Sequence, residues 1–125
     1  RGAVAVTGTK RITIVSGDVL PIVEEERIVL RGAGPHGVSF VRDDVPDWPR
    51  VEQRLVQAGA AVHEQFGQVV VVGTGVGSDP AVVRRAVSPA GELESWLAAP
   101  LRLTFVVAGE RVDDVTRALH AALIT

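Results

Sequence analysis

The segment best suited to chemistry is glycine-rich, "GTGVGS" at 73–78, and it lies between a strand-like and a helix-like run. Such a loop can bind phosphate, because free backbone N–H groups at a helix N-terminus attract anions. The spacing departs from the dinucleotide pattern G-x-G-x-x-G, since Ser78 stands where the third glycine belongs. The alternative is a turn that lets the following helix pack on a sheet, and the sequence favours it over a nucleotide site.

Other reactive side chains show no catalytic or metal-binding spacing. His36, His63 and His120 fall in a predicted turn, strand and helix, with no H-x-x-x-H pair to hold zinc. No serine lies in a G-x-S-x-G motif, and there is no cysteine to act as a nucleophile or metal ligand. The sequence therefore predicts no catalytic residue, no metal site and no cofactor, and we do not expect an enzyme.

Composition narrows the class of partner. The chain has 125 residues, 46% of them hydrophobic, and a formal charge of -2 without any Lys/Arg run, so nucleic acid is not an expected partner. No apolar stretch approaches a membrane span and no signal-like segment opens the chain, which predicts a cytoplasmic protein that does not bind membranes. Because the first residue is not Met, we expect a trimmed or excised fragment whose partner domain is missing.

The first half of the chain alternates predicted strands with helices. Gly8 is expected to separate the first two strands. Asp18 can cap a helix that has room for only about two turns. Asp47 is the expected N-cap of a second helix, which ends at Gly59. The predicted strands lie at 3–7, 11–16, 27–31 and 38–42.

The second half repeats this alternation. Gly67 is expected to form a turn between two strands, and Asp79 to cap a helix that has Pro80 at its first position. The closing helix carries an apolar stripe of Val112, Val115, Leu119 and Ala122. The predicted strands lie at 60–66, 68–75, 92–98 and 101–107.

The two halves match each other. A strand followed by Asp18 and Pro21 parallels a strand followed by Asp79 and Pro80, and "VSFV" before one helix parallels "LTFV" before the other. The offset is about 60 to 65 residues, which indicates an internal duplication. Each half reads β, α, β, β, α, a ferredoxin-like pattern. The predicted class is α+β, with antiparallel sheets and helices on one face.

This pattern resembles the regulatory region of aspartokinases, a pair of interlocked ACT domains. The segment "VVVVGTGVGSDPAVVRR" (69–85) is similar to the start of the family's second ACT domain, and "LTFVVAGERVDDVTRALHAALI" (103–124) to its end. Residues 37–62 resemble the end of the first domain. The resemblance implies a first unit at 10–66 and a second at 67–125, whose sheet the N-terminal strand 3–9 completes.

The resemblance also implies an effector site, in which Asp18 takes an amino acid's ammonium group and exposed backbone N–H groups near Asp18 or Asp79 take its carboxylate. A plain N-cap is the alternative role of Asp18. The family's Gln-Asn pair is replaced by Leu30 and Arg31, and the helix after Asp18 is too short for the family pattern. The implied effector contacts are Ser16, Gly17, Asp18, Val19, Leu20, Pro21, Leu30, Arg31, Gly75, Ser78 and Asp79.

Two functions follow from the resemblance. The first is a non-catalytic module that senses a small, Lys- or Thr-like amino acid, forms a homodimer and controls a kinase catalytic domain or subunit. The second is a degenerate ACT pair without ligand that acts as a dimerisation or protein-interaction scaffold. The kinase domain itself is absent from the sequence, so the chain resembles a free regulatory subunit, an excised regulatory region or a degenerate paralogue.

Overall fold

The computed structural model describes residues 2–124. Its strands are β1 Ala5–Ser16, β2 Leu30–Gly34, β3 Gly37–Phe40, β4 Ala61–Val72, β5 Ser95–Ala99 and β6 Arg102–Ala108. Its α-helices are α1 Leu20–Glu25, α2 Trp48–Gln57, α3 Pro80–Ala90 and α4 Val112–Leu123. Short 3₁₀ turns at Arg42–Asp44 and Gly109–Arg111 precede α2 and α4. None of the helices described is long and apolar enough to cross a membrane.

The strands form a six-stranded sheet in the order β2-β3-β1-β4-β6-β5. The hairpins β2/β3 and β5/β6 are antiparallel, and β3 also pairs antiparallel with β1, where Thr13 lies opposite Phe40. The order strand, helix, hairpin, helix occurs twice along the chain. Because this is the ferredoxin-like order, the predicted α+β class is confirmed.

The chain divides into two compact units. The terminal unit comprises the residues up to Lys10 together with those from Gly67 onward, and the central unit is Arg11–Phe66. Strands β1 and β4 each run through both units, because the boundaries fall inside these strands. The terminal unit is therefore built from two chain segments, whereas the central unit is one continuous segment.

Each unit has its own apolar core. In the terminal unit, alternate residues of β4 and β6 pack against the inner stripe of α4, which includes Val112, Val115 and Leu119 as predicted. In the central unit, Phe40 packs edge-to-face against Trp48 with ring centroids 5.6 Å apart, over Val51 and Leu55 of α2. The period-2 and period-3.6 patterns of the sequence therefore mark the faces that are buried.

Gly8 and Gly67, which were predicted to interrupt the chain between strands, lie inside continuous strands. The predicted separation at Gly8 and turn at Gly67 are wrong, since β1 and β4 are each 12 residues long and pass through these positions. A Cβ at Gly8 would lie 2.7 Å from Val112 Cγ1, and one at Gly67 would lie 2.7 Å from the Thr9 carbonyl oxygen. The glycines are needed for close packing of strand on strand and strand on helix, not for chain reversal.

Other element boundaries differ by a few residues. Strand β2 is shifted three residues toward the C-terminus of its predicted range, and β3 ends two residues earlier than predicted because residues 42–44 form a 3₁₀ turn. Asp47 occupies the N-cap position of α2, but its φ of 53° is left-handed and its side chain makes no capping bond. Its carboxylate instead accepts a hydrogen bond from Arg50 Nε at 3.2 Å.

Candidate functional site

The glycine-rich loop after β4 is shaped by its glycines. A Cβ at Gly73 would lie 2.8 Å from Ala3 Cα, and one at Gly77 would overlap the Ala99 carbonyl group. Gly75 adopts a φ of 77°, which side-chain-bearing residues rarely adopt. Each glycine therefore has a packing or backbone role, as the turn interpretation requires.

Gly75, Ser78 and Asp79, which were predicted from the sequence, lie together in the terminal unit. They line a cavity of about 350 Å³ with Gly2 and three further residues of the loop and α3. That volume lies near the lower end of the roughly 300–1,000 Å³ typical of ligand pockets.

Asp79 has the N-cap role predicted for it. Its Oδ1 accepts a hydrogen bond from the Ala81 N–H at 2.9 Å, and its backbone carbonyl accepts one from the Val83 N–H at 3.0 Å. The carboxylate is exposed, and the 11-residue helix α3 begins at Pro80. The residue thus places a negative charge at the rim of the loop cavity while it stabilises the helix.

The counterpart loop, residues 16–21, is part of the central unit. The Gly17 N–H donates to the His36 carbonyl at 3.0 Å, and Ser16 pairs with Gly37 at the end of β1. Asp18 is exposed, and the alternative that it caps α1 is wrong: Val19 occupies the N-cap position and its side chain makes no cap bond. Helix α1 spans only six residues, as its short segment predicts.

The neighbouring side chains of Leu30 and Arg31 lie in different environments. Leu30 lines a cavity of about 280 Å³ together with Leu20, Val23, Glu24 and Ile28. The walls are largely apolar, and Leu20 is 55% exposed. Arg31 is exposed on β2. The positions of the family's amide pair are therefore occupied by an apolar side chain in a cavity wall and by an exposed cation.

An ion-pair cluster links the end of α1 to α2 in the central unit. Arg50 and Arg54 both donate to the Glu26 carboxylate, at 2.8 to 3.0 Å, and Arg54 also pairs with Glu25. The hydrogen bonds from Arg50 and then Arg54 lower the pKa of Glu26 from its ordinary 4.5 to about 2. No local sequence pattern indicates these pairs, because the partners lie 24 to 29 residues apart.

A larger cavity lies between α3 and β5 in the terminal unit. Its volume is about 500 Å³, and Val83, Val87, Trp96 and Ala98 line it with Arg84. Trp96 remains 47% exposed. This groove was not predicted from the sequence. The available signal was Trp96, which lies two residues before the small Ala98 in a predicted strand.

Solved structures with this fold include regulatory regions of aspartate kinases. The ligand-free regulatory subunit of aspartate kinase from Thermus thermophilus matches with a TM-score of 0.73 and 15% identity, over 98% of this chain and 99% of that one. The regulatory subunit from Thermus flavus matches with a TM-score of 0.70 and 16% identity, over the same shares. Escherichia coli aspartokinase III in complex with lysine and aspartate matches at 0.73 and 15%, over 98% of this chain and 33% of that one.

The comparison defines the fold. The chain has the ACT-type, ferredoxin-like fold of aspartate kinase regulatory regions, and the resemblance drawn from the sequence is confirmed at that level. Neither a protein-family model nor a curated protein matches the sequence.

Proposed function

We propose that this chain is a non-catalytic regulatory module that binds a small amino acid and passes the binding on to a kinase domain or subunit. The observation that carries the proposal is the fold, which aspartate kinase regulatory subunits share over nearly the whole chain. The coupling would arise because the effector binds two arrangements of the module with different affinities. One structure of this fold contains lysine, so a Lys- or Thr-like effector is the first class to test.

The domain assignment belongs to the same proposal. We take residues 10–66 as the first ACT-like unit and 67–125, with strand 3–9, as the second. The two compact units of the fold, Arg11–Phe66 and the remaining segments, support this division. Thr125 lies outside the described residues. Dimerisation is also part of the proposal, because an open sheet edge offers unpaired backbone groups to a second chain.

The loop cavity of the terminal unit is the stronger of the two effector sites. Asp79 offers a carboxylate to an ammonium group, and Ser78 offers a hydroxyl, at a cavity of about 350 Å³. The central unit offers Asp18 for the same purpose, with the rest of the 16–21 loop, Leu30 and Arg31 around it. Its helix is short and its nearest cavity is apolar, which makes it the weaker site.

Thermal unfolding with each of the 20 amino acids tests the proposal. A ligand at about a hundred times its dissociation constant adds roughly 2.7 kcal/mol to the free energy of unfolding. We expect one or two amino acids to raise the midpoint by several degrees. A panel in which no amino acid shifts the midpoint contradicts the sensor role.

Two matched variants assign the site. Asp79→Asn keeps an N-cap but removes the charge, so it should abolish the ligand-induced shift while the ligand-free midpoint stays nearly constant. Asp18→Asn makes the same change in the central unit. If Asp18→Asn abolishes the shift and Asp79→Asn does not, the effector contacts the central loop instead.

A ligand-free scaffold is the second candidate function. The observation that favours it is the apolar surface at Leu20 and Leu30, where the resemblance implied an amide pair. Self-association of a chain whose unfolding midpoint responds to no amino acid would favour the scaffold function. The next step would then be to identify its protein partner.

A further inference from the structure

Among the described residues, the groove between α3 and β5 shares only Ser78 with the loop cavity. Val83 and Val87 lie one helical turn apart on α3 and form one wall. Trp96 and Ala98 form the other wall, since alternate residues of β5 lie on one face. Ala98 is small and leaves space beside the indole. The volume of about 500 Å³ is well within the roughly 300–1,000 Å³ of ligand pockets, so the groove can hold a small molecule.

The glycine-rich loop closes one end of this groove. Gly77 lies so close to the Ala99 carbonyl that a Cβ would overlap it. The loop backbone thus packs directly on the last residue of β5, and Gly77, Ser78 and Pro80 join the lining. Because backbone contacts set the distance between the start of α3 and the end of β5, the groove is formed before a ligand binds.

The charge in the groove has one sign. Arg84 lines it, and no acidic side chain of the described residues does so. Arg84 also forms no salt bridge within the described part of the chain, so its guanidinium can pair with a carboxylate of a ligand. The hydroxyls of Ser78 and Ser88 add two hydrogen-bond donors to the lining. A ligand's ammonium group, by contrast, would find no acidic partner there.

We propose that this groove binds an aromatic monocarboxylate that carries no amino group. Its carboxylate pairs with Arg84, and its ring packs between the indole of Trp96 and the valines of α3. Trp96 is 47% exposed, so a ring that covers it removes apolar surface from water. An amino acid with the same ring is disfavoured, because its ammonium group would lose water without gaining a carboxylate.

The groove thus takes a class of ligand different from that of the proposed effector site. The loop cavity carries Asp79 at its rim, which suits an ammonium group, whereas the groove carries Arg84. The proposal for the groove does not depend on amino-acid sensing, and either of the two can fail without the other.

Three compounds with a common phenylethyl skeleton test the class of ligand. 3-Phenylpropionate carries the carboxylate alone, 2-phenylethylamine the ammonium group alone, and phenylalanine both. Titration of the full chain, followed at the indole N–H of Trp96 by ¹⁵N NMR, should give 3-phenylpropionate the lowest dissociation constant, at least about tenfold below the other two. Equal constants for the three compounds, or no response to 3-phenylpropionate, overturn the proposal.

The second tryptophan of the chain is an internal control for position. Trp48 packs in the core of the central unit, so its indole N–H signal should stay in place. A ligand that moves Trp48 and not Trp96 contradicts the assignment. So does a Trp96 signal that changes with protein concentration before any ligand is added, because a second copy of the chain then covers the groove.

Two neighbouring arginines of α3 provide matched variants. Arg84 and Arg85 are both exposed, but Arg85 Nη2 donates to the Ala122 carbonyl at 3.5 Å and does not line the groove. Arg84→Gln should raise the dissociation constant of 3-phenylpropionate about five- to tenfold, as expected for a partly solvated ion pair. Arg85→Gln should leave the constant unchanged, and equal effects of the two variants overturn the proposal.

Asp79→Asn separates the groove from the effector site. This variant removes the charge at the rim of the loop cavity and should abolish the response to the amino-acid effector, while 3-phenylpropionate should still shift Trp96 as it does in the wild type. Loss of the 3-phenylpropionate response in Asp79→Asn would place that ligand in the loop cavity and overturn the proposal.

Discussion

Glu26 and Arg50 form a two-point ion pair in which Arg50 Nη1 donates to Oε2 at 3.0 Å and Nη2 donates to Oε1 at 2.8 Å. Arg54 Nη1 donates to the same Oε2 at 3.0 Å. The Glu26 side chain is only 13% exposed, so the two guanidinium groups largely cover it. The Glu26 carboxylate therefore links the C-cap of α1 to two successive turns of α2.

This carboxylate makes stability depend on pH in the acid range. Its pKa is lowered from 4.5 to about 2 in the folded chain, so its stabilising contribution is complete above pH 4.5 and is lost as the pH falls toward 2. We expect the difference in unfolding midpoint between the wild type and Glu26→Gln to shrink over this window. Glu24→Gln, on the exposed side of α1, is the control. A difference that stays constant from pH 6 to pH 2 contradicts the assignment.

The Asp79 cap predicts a selective loss of stability. Asp79→Ala should lower the free energy of unfolding by about 0.5–2 kcal/mol, because the Ala81 N–H loses its acceptor. Asp79→Asn should retain most of the wild-type value, since asparagine caps helices about as well. Urea unfolding of the three proteins measures the effect, and equal losses in both variants would show that charge rather than capping is responsible.

Gly67 should tolerate no side chain. Its Cβ would lie 2.7 Å from the Thr9 carbonyl oxygen and would overlap a methyl group of Val112, so Gly67→Ala should cost about 1–3 kcal/mol. Gly34→Ala is the matched control in another strand, where a Cβ meets nothing within 4 Å, and its effect should stay within about 0.5 kcal/mol. Similar midpoints for both variants would contradict the close-packing role of Gly67.

Replacement of the buried Thr13 hydroxyl should stabilise the protein. Its side chain is fully buried, and Oγ1 has no hydrogen-bond partner among the described residues. Thr13→Val should raise the free energy of unfolding by about 1 kcal/mol, because it removes an unsatisfied hydroxyl at nearly constant shape. Thr116→Val is the contrasting control, since Thr116 Oγ1 donates to the Val112 carbonyl at 2.7 Å. A destabilised Thr13→Val protein would indicate that the hydroxyl is bonded after all.

The sequence was most informative where periodicity decides burial. Alternation in β6 predicted that Leu103, Phe105 and Val107 are buried, and all three are fully so. Leu101 continues the same alternation in the sequence but is 61% exposed, because β6 begins only at Arg102 and Leu101 lies in the preceding turn. Local alternation cannot show where a hairpin turn interrupts the sheet.

Features that depend on contacts between distant residues could not be predicted from the sequence. Gly8 and Gly67 were predicted to interrupt strands, yet Gly8 packs against Val112, and Gly67 packs against Thr9 and Val112, each far from it in the sequence. The partners of Glu26 and the groove beside Trp96 likewise depend on contacts across the fold. By contrast, Asp79 was assigned correctly, because an N-cap followed by Pro80 is a local signal.

Because β1 and β4 pass through both units, recombination between genes cannot separate the two units at the midpoint of the chain. A gene segment that encodes only residues 67–125 carries β5, β6 and part of β4, but it lacks the β1 residues that belong to the same unit. Recombination at the midpoint of the coding sequence therefore transfers an incomplete unit. The second half of the coding sequence, although it repeats the pattern of the first, therefore does not encode a complete unit by itself.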